Sequence, residues 1–570
     1  MPGHKLGRGF MPQSVFTNPA LLDVTELDVT DDLSCPHGPL LEAQYLASRA
    51  FGAGRTWFLA NGSSCGIYAM IAAACAPGEK LLISRDFHFS AFNAMRFARV
   101  KPVYIPLSGY NHTSDERRLN EDAFSPDPYC LEGGNDTGGG NPGEDGTGGG
   151  NPDVDAVEAA IEAHPDATAL YITRPGYYGN VCDIVEISRL AHRRGVKVLV
   201  DEAHGAHLSF NRRLPVGAMG GGADYCVQSA HKTLPAFTQC AYAHASAGAL
   251  KADAAGIERM SEALRVFQTS SPSFILTASL DYAREYMEEY GANELNRILD
   301  NCEEFYRRAA DAGYGVPGNI WSRPGSGAPG ITRESFSGGS GAPRRPPIHA
   351  TNMVGAYGRD MTRLVLDTKP LGLSGIETDR MLWERYKIKI EMSDLKHIVM
   401  ITTVADRDED FEMLIGALTE IAHTQGKHSA TVMRAACGSG SGSGAGPGAV
   451  ALPPPGTSES RASACPAPER NPQPREHCPN TLFTSTTPDF ITELHKPRRR
   501  IQLEASIGYP AAEIVTPYPP GIPLLCPGEK VTRGAVDKLV EYINAGIRIN
   551  GIYTEGRNFP EIVVYSNDLS

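Results

Sequence analysis

The sequence lacks three features, each of which would have set its class. No window approaches the 18 or more consecutive apolar residues of a spanning helix; the longest such run, Ile67 to Ala76, falls well short. No contact with a membrane is therefore expected. The 12 cysteines include no C-x-x-C pair, so neither a structural zinc site nor a disulfide framework is indicated. A reduced, intracellular setting fits best, cytoplasmic by default. Basic runs are also scarce: Lys plus Arg total 53 against 66 Asp plus Glu, a net charge of −13, and the one cluster is Lys496 to Arg500, KPRRR. A nucleic-acid partner is excluded, because no basic face supplies the counterion release on which such binding depends. The KPRRR run reads as a solvated linker end.

Glycine (60) and proline (42) are abundant, but they are bunched rather than spread. Residues 132–152 carry the near-repeat DTGGGNPGEDGTGGGNP, and residues 322–348 and 425–500 have a similar composition. Such segments cannot offset their ordering entropy by burial and read as disordered insertions or linkers. None lies between a strand and a helix, so none reads as a Gly-rich phosphate loop.

Between these breaks, short apolar runs alternate with amphipathic stretches. Strands are expected at 56–60, 80–84, 102–106, 168–173, 196–201 and 224–229, with helices at 64–75, 90–98, 153–163 and 183–194. This is the pattern of βαβ crossovers, an α/β fold with a mainly parallel sheet covered on both faces. Functional groups then gather at the C-terminal ends of the strands.

Lys232, in SAHKT, lies just beyond the expected strand 224–229. Burying an ammonium is costly unless it is paired or its pKa falls, and a lowered pKa is what a Schiff-base lysine needs. Asp201 ends the run at 196–201, where a sheet delivers a carboxylate into the ligand crevice. An acid at one strand end and a lysine beyond a later strand is the pairing a pyridoxal phosphate site requires. The turn Asn61-Gly62-Ser63-Ser64-Cys65-Gly66 precedes a helix and offers backbone N–H groups and two hydroxyls to a phosphate, although an ordinary N-cap predicts the same residues. Ser229 and His231 add donors from the other side. His88 follows the strand at 80–84 and reads either as a satisfied loop histidine or as a group that stacks on a planar ring. His204 and His207 have H-x-x-H spacing without a third ligand, so no metal site is assigned.

With these residues in hand, the chain resembles the ornithine/lysine/arginine decarboxylases, pyridoxal-phosphate enzymes of fold type I with an aspartate-aminotransferase-like fold. The segments that carry the resemblance are PGHK (2–5), NGSSCG (61–66), SRDFHFSAFNAM (84–95), TRPGYYGNVCDI (173–184), LVDEAHGAH (199–207) and QSAHKTLPAFTQCAY (228–242). LVLDTKPLGLSGIETDRMLWERYKIKIEMSD (364–394) resembles the family's smaller domain, and SIGYPAAEIVTPYPPGIPLLCPGE (506–529) its C-terminal signature. The resemblance implies a large cofactor domain at 1–285, a smaller α+β domain at 286–424, a linker at 425–500 and a C-terminal domain at 501–570. Phe89 departs from the pattern, standing where relatives usually carry lysine.

By resemblance, Lys232 is the Schiff-base lysine and Asp201 the partner of the pyridinium nitrogen. His88 stacks on the ring, and Ala203 with His204 packs on its opposite side. Ser63, Ser64, Ser229 and His231 bind the phosphate, with Cys65 beside them. His231 also helps to protonate the product carbon. Glu513 is a weaker candidate for the substrate end, and Glu391 is an alternative there. The implied activity is decarboxylation of arginine, lysine or ornithine to CO2 and agmatine, cadaverine or putrescine. A homodimer with the site at its interface is implied as well. The alternatives are another fold type I reaction, such as that of an aminotransferase, and a silent regulatory homologue, against which the retention of Lys232 and Asp201 argues. Family members carry a segment before PGHK, so the start reads as incomplete and leaves an organelle such as the plastid open.

Overall fold

The computed structural model describes residues 5, 17–105, 151–317, 359–437, 495–517, 521–554 and 559–566. Most of the three Gly/Pro-rich stretches, and Pro2 to His4 of the opening motif, lie outside the described residues.

Seven strands, β1 (Arg55–Leu59), β2 (Lys80–Ser84), β3 (Lys101–Ile105), β4 (Ala167–Thr173), β5 (Lys197–Asp201), β6 (Tyr225–Gln228) and β7 (Ala241–Ala245), form one sheet in the order β1-β7-β6-β5-β4-β2-β3. The pairs from β6 through β3 are parallel, as the alternating pattern requires, and β7 alone runs against both its neighbours. The helices α1 (Gly62–Ala74), α2 (Phe89–Ala98), α3 (Val154–Ala163), α4 (Ile184–Arg193) and α5 (Ala254–Phe267) cover its two faces.

Strand alternation sorts the core. Leu81, Ile83, Tyr171 and Leu199 pack with Ile67, Met70, Phe92 and Met260 of α1, α2 and α5, whereas Leu82, Leu170, Val198 and Val200 pack with Val157, Ile161, Ile184 and Ile187 of α3 and α4. Because both faces are buried, the strands read as continuous apolar runs. Each fully buried Leu, Ile or Val contributes about 1.5–3 kcal/mol. Asp201 shares the parity of Leu199, so its side chain rises on the α1 face, where Tyr171 meets it.

A buried polar chain crosses the sheet. Thr56 Oγ1 lies 2.8 Å from His244 Nδ1, His244 Nε2 lies 3.0 Å from Gln228 Oε1, and Gln228 donates to Glu202 at 2.8 Å. Glu202 also faces Arg174 at 3.6 Å, and Arg174 donates to the carbonyl oxygens of Cys182 and Val216. Every member has a partner, the condition under which buried polar groups are tolerated.

Beyond the sheet, α6 (Phe274–Tyr286) runs through a π-turn at Met287–Gly291 directly into α7 (Ala292–Asp311). The expected domain boundary at 285/286 therefore falls inside a continuous helix; no Gly or Pro breaks the chain there until Gly291, which the helix absorbs. The smaller domain is a three-stranded antiparallel sheet, β8 (Arg363–Asp367), β9 (Met392–Ser393) and β10 (His397–Ile401), ordered β8-β10-β9. It packs on α7 and on α8 (Asp408–Cys437) through Ile298, Phe305, Leu364, Ile398 and Leu418. In the C-terminal part, β13 (Glu561–Tyr565) pairs with both β11 (Arg498–Gln502) and β12 (Ile552–Tyr553), over α9 (Arg533–Asn544).

Three edges of the expected linkers are corrected. Asn151, assigned to the first insertion, is buried and bonds Asp86, the Thr173 carbonyl and the Cys182 N–H. The expected linker start at 425 lies within α8, which continues to Cys437, because the helix formers persist until the Gly-Ser run begins. The KPRRR run is solvated, as expected, but it ends in a strand rather than a linker. Arg498, Arg499 and Arg500 open β11 and lie over the rings of Tyr565, Tyr509 and Tyr553, so aromatic faces order their charges. Among the described residues, no helix is long and apolar enough to cross a membrane.

Candidate active site

Four strand ends and one helix start converge on Lys232. The lysine sits on a single helical turn, Ala230–Thr233, that follows β6, and its Nζ lies 3.1 Å from His204 Nε2. Burial pushes its ammonium toward the neutral amine; Asp201 and Glu391 oppose that shift and Arg363 adds to it. The field of Lys232 is in turn felt by His88, His204 and His231. One amine is thus ringed by three imidazoles and two carboxylates.

Asp201 is 2% exposed. Burial raises its pKa and the nearby Lys232 charge lowers it, while its oxygens accept from the Ala203 N–H at 3.1 Å and the Tyr171 hydroxyl at 3.0 Å. Such a carboxylate is preorganised to keep a proton on a basic nitrogen delivered to the strand end.

His88 N-caps α2. Its Nδ1 accepts from the Ser90 N–H at 3.3 Å, so Nε2 carries the hydrogen. Burial, with Lys232, drops its pKa to about 3. Gly521 lies against the ring: a Cβ there, at a φ of +90°, would stand 3.2 Å from His88 Cδ2 and Nε2. The Phe89 N–H donates to the Gly521 carbonyl at 3.3 Å, so the residue that departs from the family pattern joins the C-terminal part to the site.

His231 Nδ1 lies 2.9 Å from the Cys240 carbonyl and must donate to it, which leaves Nε2 as its basic atom. Ser63, in the first turn of α1, bonds Ser229 Oγ at 2.8 Å. No side chain caps that helix, so its first-turn N–H groups, including that of Ser64, remain available to an anion. Cys65 turns its thiol to the Gly62 carbonyl, and burial pushes it up to about 12, so only its backbone can serve a ligand.

The two histidines of the H-x-x-H pair diverge. His204 meets Lys232 and Arg363, whereas His207 faces Asp360 at 3.2 Å and Thr362 at 3.0 Å. Glu513 accepts from the Tyr553 hydroxyl within the C-terminal part and is not among the groups that act on Lys232. Glu391 is, and its Oε1 accepts from the Tyr177 hydroxyl at 2.6 Å. Arg363 was not singled out in the sequence. It opens β8, is 1% exposed and donates from Nη2 to His204 Nδ1 at 2.7 Å. It passes Gly179, where a Cβ would stand 2.8 Å from its own Cβ.

The donor set fits pyridoxal phosphate: open N–H groups and hydroxyls at one helix start, a buried carboxylate at a strand end, and a depressed lysine among flat imidazoles. The fold and these side chains define an α/β enzyme built around one amine and one strand-end aspartate. The profile of the Orn/Lys/Arg decarboxylase major domain matches residues 1–117 and 151–321, and that of the family's C-terminal domain matches residues 487–553. The chain belongs to this family of carboxy-lyases, which decarboxylate basic amino acids. An arginine decarboxylase of Halalkalibacterium halodurans is 29% identical over 563 residues, covering 97% of this chain and 91% of the relative. One from Bacillus subtilis is 29% identical over 554 residues, with the same coverage. The Francisella novicida lysine decarboxylase structure superposes with a TM-score of 0.67 at 16% identity, covering 99% of this chain and 78% of that one, and shares its fold.

Proposed function

We propose that the chain decarboxylates arginine, with pyridoxal 5′-phosphate held on Lys232. The carrying observation is the depressed Lys232 amine set between Asp201 and His204. The bound cofactor would supply the electron sink for the pair released with CO2. The chain supplies the rest. Asp201 keeps the proton on the ring nitrogen, and the α1 start with Ser63, Ser64 and Ser229 takes the phosphate. His88 and His204, with Ala203, line the two ring faces, and His231 holds a proton at Nε2 for the product carbon. Glu391, fixed by Tyr177, receives the substrate's side-chain cation. Arginine is favoured over lysine and ornithine because the two long-coverage relatives above are named for it.

The test is release of labelled CO2 from arginine, lysine and ornithine in parallel, together with borohydride fixation of the cofactor to Lys232. Release from arginine, with agmatine formed, supports the assignment. No release from any of the three overturns it. A homodimer with the site at its interface is part of the same proposal, and it rests on the family resemblance. Sedimentation at twice the chain mass is the expected result, and a monomer would rule it out.

A further inference from the structure

Arg363 and His204 form a relay whose protons can be placed. A guanidinium only donates, so the 2.7 Å contact from Arg363 Nη2 makes His204 Nδ1 an acceptor. The imidazole is then neutral, with its hydrogen on Nε2. That atom lies 3.1 Å from Lys232 Nζ, and an N–H there can bond the lysine only if the amine offers a lone pair. We propose that Arg363 is a positioning residue that, by fixing the Nε2–H tautomer of His204, holds Lys232 as an aimed, neutral amine.

Three further observations support the assignment. Arg363 is fully buried, its Nε and Nη1 have no hydrogen-bond partner, and its guanidinium lies 5.7 Å from the Tyr177 ring, an arrangement poorly suited to serve stability alone. Burial, with the charge of Arg363, holds His204 well below the usual histidine range, which disfavours the imidazolium that the relay forbids. The groups facing Lys232 are Asp201 at the end of β5, Arg363 on β8, Glu391 before β9 and the imidazoles of His88, His204 and His231. Of these, only the two carboxylates favour the ammonium, and the relay opposes them.

The inference rests on Lys232 being the cofactor lysine, but its test needs no cofactor. The full chain, stripped of carbonyl compounds with hydroxylamine, is labelled with acetic anhydride across a pH series, and Lys232 is followed by peptide mass spectrometry. Arg363→Met and His204→Phe should each raise the labelling midpoint by about one pH unit, a tenfold loss of free amine below it. Arg363→Lys, which keeps a cationic donor, should stay near wild type. The double variant should move no further than His204→Phe alone. A midpoint unchanged in folded Arg363→Met overturns the proposal. An Arg363→Met shift that persists at full size in the His204→Phe background also overturns it, because the charge would then act directly. If Arg363→Met does not fold, His204→Phe decides alone: an unmoved midpoint there overturns the relay. Failure of borohydride to fix a cofactor on Lys232 would sink the functional proposal and leave the midpoint readable.

Discussion

At the scale of single residues, Asp201 and Glu391 divide the electrostatics of the site. Asp201→Asn removes the charge proposed to retain the ring proton while keeping a similar shape, and decarboxylation should fall on the order of 100-fold or more, measured as kcat with cofactor saturating. Glu391→Gln keeps the Tyr177 contact but loses the charge proposed to meet the substrate cation. KM should rise on the order of tenfold with a smaller change in kcat, since a charged hydrogen bond contributes about 1.5–3 kcal/mol. An unaltered KM would return the substrate end to another carboxylate. The sequence made Lys232, Asp201 and His88 legible because strand ends follow from apolar runs. It left Arg363 hidden because a buried arginine at the head of β8 looks like any strand flank until the fold carries it beside His204.

At the scale of elements, the runs between breaks were legible to within a residue or two, as for β2 at Lys80–Ser84. What escaped was β7 altogether, with its reversed direction, and the anchoring of Asn151, both of which depend on partners distant in sequence. Asn151→Ala strands the Cys182 N–H and removes a donor from Asp86, and should cost about 2–3 kcal/mol in a urea titration. The cross-sheet polar chain has a pH signature. Burial depresses His244 to about 3, whereas the same residue in the unfolded chain takes up its proton near the ordinary histidine value of 6.5. Between those values the unfolded state binds more protons, so stability falls as pH drops through that window and is indifferent above it. At pH 5 the loss from this residue is about 2 kcal/mol relative to pH 7. Urea midpoints at the two pH values measure it, and His244→Gln should flatten the dependence.

At the scale of the whole molecule, the C-terminal part is bound into the large domain rather than appended to it. Cys526 belongs to the same core as Ile67 and Met260, and Arg85 donates to the Pro523 carbonyl at 3.0 Å and faces Glu529 at 3.6 Å. The family resemblance implied a separate C-terminal domain; contacts of this length have no local signal. Arg85→Met should loosen that attachment, so limited proteolysis should release a C-terminal fragment faster than from wild type while activity falls in step. Unchanged cleavage would mean that Cys526 and its neighbours hold the part alone.

The contact between Gly521 and His88 also sets an order of events during synthesis. A ribosome must join at least 520 residues before the glycine that backs the His88 ring exists. The lysine, the aspartate and the phosphate cradle are all made far earlier. A nascent chain, or one cut short by a late stop codon, would therefore carry Lys232, Asp201 and the α1 start and still lack the glycine that backs the His88 ring.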